Sequence, residues 1–121
     1  MVKNSKNKPY DLEERTFQFA KNVRLFIKTL EKTIANIEDS KQIIRSSGSV
    51  GANYIEANEA FSKKDFAYRV KICRKEAKES VYWLRLIHES NELPNDELVR
   101  ELIQESTELK KIFSAIVEKS K

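Results

Sequence analysis

The two glycines of this chain, Gly48 and Gly51, constrain its fold most. Both lie in Ser46-Ser47-Gly48-Ser49-Val50-Gly51-Ala52-Asn53-Tyr54-Ile55-Glu56, and neither stands where a helix would end. Apolar positions run straight through them, from Ile37 and Ile44 to Ile55. A glycine inside a helix costs about 1 kcal/mol relative to alanine. Two of them three residues apart therefore call for a reason in packing or function. Ser47/Gly51 and Gly48/Ala52 are pairs of small residues four apart, on one face of a helix. The expectation is a helix that another helix approaches closely, by the geometry that small-residue pairs give in membranes. Gly48-Ser49-Val50-Gly51 is not a phosphate loop, because no strand precedes it and no Lys-Ser or Lys-Thr follows it.

The rest of the chain has little punctuation. With two Gly and two Pro in 121 residues, 40% apolar and 35% charged, it lacks the turn residues of an all-β fold and reads as one all-α domain. Its single cysteine, Cys73, excludes an internal disulfide and fits a reducing, cytoplasmic setting. No stretch approaches the roughly 18 apolar residues of a membrane span. Residues 1–10 read as a disordered basic tail, with no apolar region after Met1–Lys8 to make a secretory signal.

Four helical patterns follow. Asp11 with Glu14 makes a capping-box-like start, after which Leu12, Phe19, Val23, Phe26, Ile27, Leu30 and Ile34 fall on one stripe. Phe17 and Leu25 lie off it, as a second contact surface or as the scattered apolar residues any surface carries. The pattern loses phase at Glu31–Ala35. Thr33 then caps a second helix over about 36–60, with Ile37, Ile44, Gly48, Gly51 and Ile55 as its central line. Ile43, Ser47, Val50, Tyr54 and Phe61 widen that line, and Arg45, Ser49, Asn53 and Glu56 group opposite. Ser62 with Asp65 caps a third helix, whose core line is Phe66, Val70, Cys73, Ala77, Ser80 and Leu84. It ends near Asn91. Pro94, Asn95 and the acidic Asp96, Glu97 and Glu101 start a fourth helix, with Leu98, Leu102, Leu109, Ile112, Phe113, Ile116 and Val117 on its apolar face. Four helices with short connections predict an up-down-up-down antiparallel four-helix bundle over residues 11–119.

Catalytic chemistry is poorly supplied. One histidine, His88, and one cysteine cannot make a structural Cys/His zinc site, and no Glu stands three residues before His88 as a di-iron bundle would require. Fifteen residues along one helix place Cys73 and His88 more than about 20 Å apart, which rules out a nucleophile–base pair. Cys73 reads as a small core residue and His88 as a helix-end or partner contact. Nothing selects Glu56 or Glu59 for acid–base work. The chain reads as a non-enzyme without cofactor or metal.

Charge gives a stronger lead. The net charge is +4, and Ser62 to Glu89 holds eight basic side chains against four acidic ones. Lys64, Lys71, Lys75, Lys78 and Arg85 share a narrow sector of the third helix, with Tyr82 beside it. That combination suits phosphates with an unpaired base stacked nearby, or else is a solvated helix face. Tyr68, Ile72, Trp83 and Leu86 form a separate aromatic flank. Together with Phe17 and Leu25 they exceed what one small bundle covers, which points to self-association.

Ser46 to Ala57, then Ser62-Lys63-Lys64-Asp65-Phe66, then Glu76-Ala77-Lys78-Glu79-Ser80-Val81-Tyr82-Trp83-Leu84 resemble a bacterial four-helix-bundle family. The family is named for proteins encoded in intervening sequences of 23S rRNA genes, and it includes the accessory variability protein of diversity-generating retroelements. The resemblance covers about residues 11–118. It implies a bundle assembled as a homopentamer, with basic outer surfaces that in retroelement relatives bind nucleic acid and a reverse transcriptase. It supplies no catalytic residues. The expected nucleic-acid contacts are Lys64, Lys71, Lys75, Lys78 and Arg85. The expected oligomer interface is Arg45, Ser49, Asn53 and Glu56 with Tyr68, Ile72, Trp83 and Leu86. The alternative is a protein-interaction scaffold with no nucleic-acid role.

Overall fold

The computed structural model describes residues 11–121, so the N-terminal tail lies outside the described residues. Four helices follow one another: α1 (Leu12–Ile27), α2 (Ile34–Asn58), α3 (Lys63–Glu89) and α4 (Glu97–Lys119). Each packs on its neighbour in sequence, and α1 closes the ring against α4. This is the antiparallel four-helix bundle that the periodicity predicts, with no strand among the described residues.

Side-chain caps start the first three helices. Asp11 accepts a hydrogen bond from the Glu14 N–H at 3.4 Å, Thr33 from Asn36 at 3.1 Å, and Ser62 from Asp65 at 3.0 Å. The fourth differs. Asp96 makes no capping bond. It faces back toward α3, where its Oδ2 lies 3.0 Å from His88 Nε2. His88 is thus a contact within the chain, tying the end of α3 to the start of α4.

The core is built from large and very small side chains together. Phe19, Val23, Ile43, Leu84, Leu109 and Phe113 fill its middle, and Tyr54 stacks at a tilt on Phe113 with ring centroids 5.9 Å apart. Between the helices lie Ser46, Ser47, Ala57, Ala77, Ser80 and Ser106, all buried. Ser47 donates within its own helix, to the Ile44 carbonyl at 3.3 Å, while the other three serine hydroxyls link helices. Ser46 and Ser80 share a bond of 2.9 Å across α2–α3, and Ser106 donates to the Ala77 carbonyl at 2.8 Å across α3–α4. At one end Asn36 and Asn91 exchange two amide bonds of 2.9 Å. At the α1–α4 seam Arg15 forks onto Glu105 and also reaches Glu108, at 2.7 to 2.8 Å.

The α2 core line requires correction. Ile43, Ser46, Ser47, Val50 and Ala57 are buried, whereas Ile37, Ile55 and Phe61 are exposed. The buried stripe lies roughly a third of a turn from the expected line. Small serines admit a close neighbour where isoleucines would hold it off, so spacing between helices decided which side turned inward. The glycines instead face α1. A Cβ at Gly51 would stand 2.8 Å from Thr16 Oγ1, and one at Gly48 would stand 3.4 Å from Arg24 Nη2. The expected close approach of a second helix is present, and α1 makes it. Ile34 likewise belongs to the start of α2 and not to the stripe of α1, which ends at Ile27.

Candidate functional site

α3 carries both candidate surfaces. Its core side holds Val70, Cys73, Ala77, Ser80, Leu84 and Ile87, which fixes the opposite side in solvent. Lys64, Lys71, Lys75, Lys78 and Arg85 are all exposed there. Only Arg85 has an acidic partner among the described residues, Glu89 at 3.3 Å. The four lysines are thus uncompensated on one helix face. Tyr82 stands beside them, 58% exposed, with its ring edge-on to Trp83 at 5.0 Å.

The fold extends this sector in a way that a single helix pattern does not show. At the start of α3, Lys63, Lys64, Tyr68 and Lys71 meet Val117, Ser120 and Lys121 around an open recess of about 470 Å³. An adjoining recess of about 680 Å³ is lined by Phe61, Ser62, Lys63, Phe66, Lys119 and Lys121. Phe61 is 101% exposed, so its ring has no neighbour to cover it. In the sequence, Lys119 and Lys121 look only like charges suited to a helix C-terminus. Their place beside Lys63 and Lys64 depends on α4 returning antiparallel to α3.

The second surface flanks the α2–α3 seam. Asn53 Oδ1 accepts from Arg69 Nη1 across it at 3.1 Å, and Asn53 Nδ2 donates to the Ser49 carbonyl at 2.9 Å. Arg45, Ser49 and Glu56 share the side of α2 that carries Asn53. Ile72 and Trp83 lie on the side of α3 that carries Arg69, while Tyr68 and Leu86 stand further round toward solvent. The eight expected interface residues therefore border one seam. Asn53 is engaged within the chain, and Trp83 packs half-buried against the core. Glu76 was not foreseen here. It is 7% exposed, and its Oε1, like Trp83 Nε1, is buried without a hydrogen-bond partner among the described residues.

Cys73 and His88 both lie within the bundle's own contacts, His88 against Asp96 at 3.0 Å. Cys73 is fully buried, and burial pushes its thiol up to about 12, so it holds its proton at neutral pH. No group of three His, Cys, Asp or Glu among the described residues is placed to hold a metal ion. Hydrogen bonding to His88 holds the Asp96 carboxyl below its ordinary range. Hydrogen bonds from Gln104 and then Arg15 do the same for Glu108. No helix among the described residues is long and apolar enough to cross a membrane.

A family model described as 23S rRNA-intervening sequence protein matches residues 8–115. Among solved structures, the chain is similar to a protein of unknown function from the S23 ribosomal protein family of Bacteroides thetaiotaomicron. The identity is 31% over 87% of this chain and 96% of that one, with a TM-score of 0.75. No curated protein matches the chain. The match runs through α1, α2 and α3, with the glycine segment and the cationic face of α3, and into α4 as far as residue 115, and on that extent the chain belongs to the 23S rRNA-intervening sequence protein family.

Proposed function

We propose that the chain is a cytoplasmic, non-enzymatic homo-oligomer, a pentamer as the resemblance implies, that binds RNA or DNA through the cationic side of α3 as accessory to a nucleic-acid enzyme. The observation that carries this reading is the set of four lysines, Lys64, Lys71, Lys75 and Lys78, that share an exposed face without an acidic partner. Uncompensated lysines along one helix attract phosphates and release their counterions. Tyr82 and Phe61 offer open rings on which an unpaired base can stack. Tyr68 and Leu86 beside the α2–α3 seam supply apolar surface for a second copy.

A gel shift with RNA and DNA, single-stranded and duplex, at several salt concentrations tests the binding. Affinity is expected to fall steeply with salt, with a log–log slope of about −0.7 to −0.9 per phosphate neutralised. Changing Lys71, Lys75 and Lys78 together to Glu should abolish it. Binding that survives that change, or no binding at low salt, refutes the reading. Light scattering tests assembly separately, and a monomer of 14.1 kDa at micromolar concentration refutes it. A second reading, a protein-interaction scaffold without nucleic acid, draws on the exposed apolar residues of α1 and α2. It predicts a defined protein partner recovered from nuclease-treated lysate.

A further inference from the structure

α1 and α2 cross over Gly48 and Gly51, and the small residues of this seam leave a groove open along its outside. One stretch is a recess of about 410 Å³, lined by Phe17, Ala20, Arg24, Gly48, Ala52 and Ile55 among others. The next is a recess of about 470 Å³, reaching Ile27, Ile37, Ser40 and Ile44. Arg24 links them. Its Nη1 donates to the Ala20 carbonyl at 3.0 Å and its Nη2 to the Ile44 carbonyl at 3.4 Å, and no carboxylate among the described residues pairs with it. Phe17 is 60% exposed, and Ile37 and Ile55 are 44 and 50% exposed. The rim is cationic: Lys21, Arg24, Lys28 and Lys32 stand against Glu13 and Glu31, while Lys41 is paired with Glu38 at 3.4 Å.

We propose that this groove receives an acidic amphipathic helix of a partner protein. An apolar channel between two helices is the shape that accepts the apolar face of a third. Ile37 to Ile55 spans about 27 Å of α2, which about 18 residues of partner helix would follow. The cationic rim, with Arg24 at its centre, selects an occupant with carboxylates beside its apolar stripe.

A second copy of the chain fits less well. The groove set against itself opposes lysine to lysine. The exposed Tyr68, Tyr82 and Leu86 stand beside Lys71, Lys75, Lys78 and Arg85, and would bring cations against cations again. The start of α4, where Glu97 and Glu101 are exposed, offers only Leu98 as an exposed large apolar residue among those described. An anionic membrane would meet a recess where insertion needs a projecting apolar ridge.

The test titrates the full chain into a fluorescein-labelled peptide of about 18 residues, followed by anisotropy. Leucines at every third or fourth position and glutamates elsewhere give the peptide one apolar stripe. A control peptide of identical composition has its leucines spread around the helix. Saturable binding is expected, at least about tenfold tighter for the striped peptide than for the control. Phe17→Ser with Ile55→Ser, and separately Arg24→Ala, should each weaken it roughly tenfold, and Leu98→Ser should leave it unchanged. All four residues are exposed, and a urea midpoint confirms that each variant folds. If the double variant unfolds, Arg24→Ala carries the test.

Four results overturn the proposal: no binding, equal binding of the control peptide, binding that survives these changes, or binding only to phosphatidylserine vesicles in co-sedimentation. A fall in the chain's own assembled mass in the Phe17→Ser/Ile55→Ser variant also overturns it, by giving the groove to a second copy. No readout involves nucleic acid, so failure here and failure of the α3 reading are distinguishable.

Discussion

Alanine at Gly51 and alanine at Gly48 should have opposite effects on stability, although the sequence gives no reason to separate them. Both positions lie inside α2, so each substitution gains about 1 kcal/mol of helix propensity. What a new Cβ meets differs. At Gly48 it meets the far end of Arg24, a flexible side chain, at 3.4 Å, so the gain should be largely kept. At Gly51 it would lie 2.8 Å from Thr16 Oγ1 and 3.2 Å from Thr16 Cβ. Thr16 is buried and β-branched, and its hydroxyl donates to the Leu12 carbonyl at 2.6 Å, so it has little freedom to withdraw. Relief must come from α1 moving off α2, and overpacking of this kind costs about 1–3 kcal/mol. Propensity cancels between the two variants, so their difference isolates the steric clash at about 1–3 kcal/mol. Urea unfolding at one fixed protein concentration measures it as a shift in midpoint at constant slope. Thr16→Ala provides the control. It removes the nearest clashing atom, so Gly51→Ala should cost at least about 1 kcal/mol less in that background than in the native one. Equal stability of the two alanine variants, or no coupling between residues 16 and 51, would refute the account of α1–α2 packing.

Two further outcomes follow from polar groups that the fold places in unusual settings. Glu76 is buried with Oε1 lacking a donor, a cost of about 1–3 kcal/mol. Glu76→Met, of similar length, should raise the melting temperature by several degrees, and a fall would show that the carboxylate has a partner. The carboxyls of Asp96 and Glu108 are held below their ordinary range, so they bind protons less readily folded than unfolded. Their contribution is therefore present above the unfolded carboxylate pKa, about 4, and is lost as the pH falls through the folded values. Melts from pH 7 downward should show stability dropping below about pH 4, less steeply in Asp96→Asn and Glu108→Gln. An acid limb unchanged by both substitutions would contradict the assignment.

The parts of the fold that local chemistry dictates were legible in the sequence. Asp11, Thr33 and Ser62 cap as their spacing predicts, because a cap needs only a side chain and an N–H three residues on. The core line of α3 was legible because its large apolar residues and its lysines fall on opposite sides. The inward face of α2 was legible only in part: Ile43, Ser47 and Val50 stood beside the expected line, but Ser46 and Ala57 rank below Ile37 and Ile55 in hydropathy, so the line was centred on the wrong side. The choice depended on how closely α3 and α1 approach, a property of three helices together. For the same reason the sector on α3 was visible as far as Arg85. Its extension by Lys119 and Lys121 required the end of α4 to be placed beside the start of α3.

Close packing and surface stickiness have one cause in this molecule. Where Ser46 meets Ser80 and Ser106 meets the Ala77 carbonyl, the helices approach until little interior volume is left for branched or aromatic side chains. The apolar residues displaced from the interior stay outside, as Phe17, Ile37 and Ile55 along one seam, Leu25 on the outer side of α1, and Tyr68 and Leu86 beside another seam. Left in water they neither stabilise the bundle nor oppose it. Because 38 to 61% of each is still exposed, covering one by a neighbour contributes roughly half of the 1.5–3 kcal/mol of a fully buried side chain, so a stable contact needs several of them together to exceed the cost of association. Refilling the interior with larger side chains would remove the reason for those residues to lie outside. A Ser46→Val/Ser80→Val variant should therefore be less stable, with a lower urea midpoint, because each valine is larger than the buried serine it replaces and the two backbones, held close by the serine pair, must part to admit it; an unchanged or raised midpoint would show that the seam has room to spare.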